Sequence, residues 1–128
     1  MRTTFITDRG VRICVLDFTH VPDEDTALAA IDEARRIITS EPPKSVYTLT
    51  DVTGSRVTSR IRSALHDLTT ANAPYVVAGA VVGVTNLQMV ILRGIVQLTR
   101  RRLIVSKSRE DARDWIVNEA RGAIQNTG

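Results

Sequence analysis

Residues Lys44 to Val57 read K-S-V-Y-T-L-T-D-V-T-G-S-R-V. The β-branched and aromatic run from Ser45 to Thr50 breaks off at Asp51-Val52-Thr53-Gly54-Ser55, and an amphipathic pattern follows at once. This predicts a strand, a polar glycine turn and a helix N-terminus, the place where open α/β sheets set their sites. The turn supplies a carboxylate, hydroxyls, backbone N–H groups and a flanking arginine, Arg56. It holds no histidine, cysteine cluster or second close carboxylate, so no reaction can be read from it.

Working outward, Thr3 to Thr7 and Val11 to Phe18 read as two strands joined at Asp8-Arg9-Gly10, the first an edge and the second nearer the middle. Val21-Pro22-Asp23-Glu24-Asp25 opens a helix, with acids where the helix dipole favours them. Ala27, Leu28, Ile31, Ala34, Ile37 and Ile38 give it one buried stripe, and Pro42-Pro43 ends it. Beyond the turn, Val57, Ile61, Ala64, Leu65, Leu68 and Ala71 predict a second helix, closed by Asn72-Ala73-Pro74. Tyr75 to Val84 is a near-continuous apolar run, as in a strand buried on both faces. Thr85-Asn86-Leu87-Gln88 has the form of a capping box for a third helix. Leu103 to Ser106 is a last strand, and Ser108-Arg109-Glu110-Asp111 caps a final helix.

The order is β-β-α-β-α-β-α-β-α. Strands that alternate with helices require parallel neighbours, and the leading hairpin adds an antiparallel one. The expected fold is α/β, a single mixed sheet with packed helices, forming one domain over residues 1–121 with a frayed tail over 122–128.

Composition fits that reading. The chain has 128 residues, 43% hydrophobic and 24% charged, enough for one core without disulfides or metals. Its one cysteine, Cys14, sits in an apolar run and is expected to be buried. The N-terminus lacks a signal peptide's apolar core and no run approaches a membrane span, so cytoplasm is the expected compartment. The net charge is +3, with 15 arginines among 17 basic residues. Phe5, Phe18, Tyr47, Tyr75 and Trp115 fall in separate segments without basic–aromatic interleaving, which argues against a nucleic-acid reader. His20 and His66 have no partner spaced for a metal or a nucleophile. No cofactor or metal is expected.

Three runs, P-P-K-S-V-Y-T-L-T-D-V-T-G, A-P-Y-V-V-A-G-A-V-V-G-V-T and S-R-E-D-A-R-D-W-I, together resemble the STAS-like group of bacterial proteins. These are similar to sporulation anti-sigma-factor antagonists and to the lipid-carrying CRAL–TRIO fold. The resemblance covers nearly the whole chain and is carried by the order and spacing of the runs. In the antagonists a D-S-S-G turn carries a phosphorylated serine, and the adjoining surface binds a partner kinase. The resemblance implies that Thr53 occupies the acceptor position. Val52 departs from the pattern by removing a polar neighbour.

Two candidate sites follow. At the turn, Asp51, Thr53, Gly54, Ser55, Arg56 and Arg60 form a regulatory or partner-binding surface. The two arginines are badly placed for a helix dipole unless something negative visits. The simpler use of the same residues is a helix cap at Asp51, Thr53 or Ser55 with solvated arginines. On the third helix, Met89, Leu92 and Val96 form a second apolar stripe opposite its core face, which another helix of the chain could cover; otherwise a homodimer is expected ahead of a partner protein, an apolar ligand or a lipid surface. The function expected is a non-enzymatic regulatory domain that binds a protein partner or itself, switched by phosphate at the turn. The alternative is a small lipid or apolar-ligand binder. An enzyme, with Asp51 as general base, ranks third.

Overall fold

The computed structural model describes residues 1–85 and 102–126, with side chains as far as Gly122. Among these, the strands β1 (Thr3–Asp8), β2 (Val11–Asp17), β3 (Val46–Asp51), β4 (Val76–Val82) and β5 (Arg102–Ser106) form one sheet in chain order. β1 pairs with β2 antiparallel, and every later pair is parallel. The first strand is an edge and β3, from the run that opened the sequence reading, is the central strand. The expected mixed α/β sheet is therefore the one observed.

The pleat explains how the core divides. Alternate residues face opposite sides of a strand, so Cys14 and Leu16 of β2 join one cluster while Ile13 and Val15 join another. The first cluster packs against α1 (Glu24–Ile38) and α2 (Ser59–Asn72), through Ala30, Ile31, Ala34 and Ile38 of α1 and Ile61 and Leu68 of α2. The second packs Leu49 of β3 and Ala80 and Val82 of β4 against Ala112 and Ile116 of α3 (Arg109–Asn126). β4 is buried on both faces, as its unbroken apolar run requires. Cys14 is fully buried, and burial pushes its thiol pKa up to about 12.

Each of the described helices starts on a local polar residue. The Asp23 carboxylate accepts from the Thr26 N–H at 2.7 Å, and Glu24 and Asp25 follow in the first turn. Thr58 Oγ1 accepts from the Ile61 N–H at 3.2 Å, and Ser108 Oγ from that of Asp111 at 3.1 Å. α2 therefore begins four residues beyond Ser55, and none of Asp51, Thr53 or Ser55 caps it. The last helix continues through Gly122 to Asn126, beyond the end expected near Arg121. The third helix expected after Thr85, with its stripe of Met89, Leu92 and Val96, lies outside the described residues.

Leu49 is 1% exposed at the centre of the sheet and meets α3 through the second cluster. Leu49→Ala is expected to cost about 2–5 kcal/mol, the usual range for a leucine truncated in a packed core. Urea unfolding should show a lower midpoint with an unchanged slope.

Candidate functional site

β2 and β3 end in register, with Asp17 beside Asp51. Each aspartate begins the same three-residue pattern, Asp17-Phe18-Thr19 and Asp51-Val52-Thr53. In both, the carboxylate turns back on its own chain. Asp51 Oδ1 accepts from the Thr53 N–H at 3.0 Å and from the Thr53 hydroxyl at 2.6 Å. Asp17 Oδ1 accepts from the Thr19 N–H at 3.1 Å and from the Thr19 hydroxyl at 2.5 Å. These are twin turns in which an acidic side chain replaces a backbone carbonyl as the turn's acceptor.

Arg109, the first residue of α3, ties the pair together. Its Nε donates to Asp51 Oδ2 at 2.7 Å, and its Nη2 lies 3.4 Å from Asp17 Oδ1. Arg2 also holds the first turn, with Nη1 donating to the carbonyls of Asp17 and Thr19 at 3.2 and 3.0 Å. The backbones also run on together past the strands. Phe18 N–H donates to Asp51 O at 2.8 Å and His20 N–H to Thr53 O at 2.9 Å, while the Ser55 hydroxyl donates to Phe18 O.

Two glycines let these loops close on one another. Gly54 has a φ of 72° and lies against the His20 ring, where a Cβ would fall 2.2 Å from Nδ1. Gly83, just beyond β4, has a φ of 84° and lies against Thr53, where a Cβ would fall 2.7 Å from the Thr53 Cα. Side chains are disfavoured at both positions by conformation and by space. The loops after β2, β3 and β4 thus form one polar surface at the C-terminal edge of the sheet.

Within that surface Asp51 is buried, 6% exposed, whereas Thr53 and Gly54 are exposed. Burial alone would raise the Asp51 pKa. The Thr53 hydroxyl, Arg109 and the Thr53 N–H outweigh it, and the carboxyl stays below its ordinary value. The same balance of burial against Thr19, Arg109 and Arg2 lowers Asp17. A carboxylate held low by three donors is a poor general base. The surface instead offers an exposed hydroxyl at Thr53 whose proton is already directed to Asp51.

The structure separates the two arginines that the sequence placed one helical turn apart. Arg56 lies in the connecting segment before α2 and is exposed; Arg60 lies in the first turn of α2 and pairs with Glu24 of α1 at 2.9 Å. Glu24 also accepts from the Thr58 hydroxyl at 2.6 Å. Asp51, Thr53, Gly54 and Ser55 fall together as expected. Asp17, Thr19 and Arg109 are the members that reading the turn alone misses, although the repeated D-x-T at two apolar strand ends was there to be seen. No group of three or more metal-ligating side chains occurs among the described residues. No helix among them is long and apolar enough to cross a membrane.

Comparison with protein-family models and with curated proteins gives no match. Among solved structures, the chain is similar to the crystal structure of an uncharacterised protein of the DUF3478 family with a SpoIIAA-like fold from Shewanella loihica PV-4. The TM-score is 0.68 at 13% identity, over 89% of this chain and 91% of that one. This likeness establishes the fold, which is SpoIIAA-like and hence STAS-like, as the sequence resemblance implies.

The lowered pKa values fix a sign. A carboxylate whose pKa is depressed on folding adds stability that is complete above its unfolded value, about 4, and is lost as pH falls through its folded value. Asp51→Asn, which gives up the charged pairing to Arg109, is expected to cost about 1–3 kcal/mol at pH 7. The gap to wild type should close as pH falls below about 4. Urea unfolding of both proteins between neutral and acid pH checks this, and a gap that stays constant across the range would contradict it.

Proposed function

We propose that this chain is a cytoplasmic regulatory domain that acts by protein contact rather than by catalysis, through the surface formed by the twin turns. The observation that carries the reading is Thr53. It is exposed at the end of the central strand, and its hydroxyl is held 2.6 Å from a buried carboxylate. The resemblance of Asp51-Val52-Thr53-Gly54 to the phosphorylated turn of anti-sigma-factor antagonists points the same way.

A phosphate on Thr53 changes the turn by local electrostatics. Esterified, the oxygen can no longer donate to Asp51, and a group of about −1.5 to −2 charge then sits beside that carboxylate. The repulsion opens the turn. Arg109, which already meets both aspartates, and Arg56, exposed three residues further along the chain, are the cations proposed to receive the new charge. The surface presented to a partner differs between the two states, which makes a switch of affinity.

Protein isolated from its native host should carry a phosphate-sized mass increment that is absent from Thr53→Ala. Immobilised Thr53→Ala and Thr53→Glu should then capture the same partner with at least fivefold different yields. Equal capture by wild type and both variants, with no increment on the wild type, would overturn the switch.

A further inference from the structure

Among the described residues β1 has a neighbouring strand on one side only. Edge strands present unpaired N–H and C=O groups, and proteins blunt them with lysine, proline, a bulge or a covering element. β1 reads T-T-F-I-T-D, keeps its register with β2 over all six residues, and carries none of the first three devices. Its covering is confined to one end, where Glu33 of α1 accepts from the Thr3 N–H at 2.9 Å and the Arg2 N–H at 3.0 Å.

The hydrogen bonds also set the phase of the strand. The Asp17 N–H donates to Arg2 O at 2.8 Å, so the Arg2 carbonyl points at β2. Such residues alternate along an antiparallel ladder, and Thr4, Ile6 and Asp8 therefore point at β2 as well. Thr3, Phe5 and Thr7 turn their peptide groups outward, in agreement with the bond from Thr3 to Glu33. With the Thr3 N–H engaged, the open edge is that of Phe5 and Thr7. Arg12 lies over the Phe5 ring, 3.6 Å from its centroid. Ile6, half-buried against the second cluster on the other face of the sheet, is the apolar residue at the middle of this edge.

We propose that the β1 edge pairs with the β1 edge of a second copy of this chain, antiparallel about a twofold axis at Ile6. An axis at Phe5 needs the Thr3 N–H, which Glu33 already holds. An axis at Thr7 sets Ile6 opposite the carboxylate of Asp8. With the axis at Ile6, Phe5 lies opposite Thr7, and every free donor and acceptor of these two residues is used in both copies. Ile6 meets Ile6, the Thr4 hydroxyl faces the Asp8 carboxylate, and no like charges oppose one another. That self-complementarity is what a twofold interface requires. Because the two β1 strands run in opposite directions, the twin-turn surfaces lie at opposite ends of the joined sheet. The dimer presents two of them, whether or not Thr53 is phosphorylated.

Sedimentation velocity from micromolar to millimolar protein should show a reversible dimer, as suits a short strand contact at the small end of interface sizes. Thr7→Pro removes an outward N–H and leaves the ladder with β2 intact, a change that edge strands tolerate. It should weaken the dimer at least tenfold. At the axis the two Ile6 residues form a non-hydrogen-bonded pair with Cα atoms ~4.5 Å apart, within reach of a disulfide. Ile6→Cys should therefore cross-link under mild oxidation at least fivefold faster than Thr4→Cys, although Thr4 is the more exposed position. The native Cys14 is buried and common to both variants. If Thr7→Pro unfolds, the two cysteine variants decide alone. A monomer over the whole concentration range, a folded Thr7→Pro that dimerises as tightly as wild type, or Thr4→Cys cross-linking as fast as Ile6→Cys would overturn the pairing.

Discussion

The pairing of Asp51 with Arg109 is the contact on which the functional end of this fold depends. A carboxylate that is 6% exposed is tolerable only when its lone pairs are taken, and here the donors come from two directions. Thr53 supplies two from the same loop, and Arg109 supplies the third from a helix on the opposite face of the sheet from α1 and α2. The sequence distance is 58 residues. A local turn is thereby anchored to the last helix, and because Arg109 also approaches Asp17, the ends of two adjacent strands share one cation.

This arrangement explains what could and could not be read in advance. β3, its abrupt end and the glycine turn were legible because period, composition and Gly54 all agree locally. The partner of Asp51 was not, since nothing within a turn predicts which distant arginine will reach it. Asp17-x-Thr19 was a missed local signal of the same form as Asp51-x-Thr53. The start of α2 was misplaced for a different reason: Ser55 resembles a cap, but its hydroxyl is spent on Phe18 O across the neighbouring loop, and the cap falls to Thr58. Arg60 looked misplaced at a helix N-terminus only while Glu24, on another helix, was out of view.

The two faces of the sheet are built differently. On the α3 side Ala112 and Ile116 are fully buried against Ile13, Leu49 and Ala80. On the other side α1 and α2 pack over Cys14, Leu16 and Val46, and a cavity of about 230 Å³ lies between their N-terminal halves and the loops, lined by Phe18, Ala27, Val52, Val57 and Ile61. The polar surface and the apolar cavity are adjacent because one segment, Val52 to Val57, closes the first and lines the second. A short connector between a strand and its following helix thus has two neighbours to answer to, and its sequence alternates accordingly between Val52 and Val57 inside and Thr53 and Arg56 outside.

The sheet's spatial order is also its order along the chain, β1 through β5. No strand has to be inserted between two that are already paired. Each finds its partner in chain that has already been synthesised, and the growing edge always faces the residues still to come. The first four strands therefore carry a complete set of neighbour pairings that draws on nothing beyond Val82. The tie across the strand ends comes from outside that set, from a residue 58 positions beyond Asp51, so the same end of the sheet is held once by pairing between neighbours and once by a single distant cation.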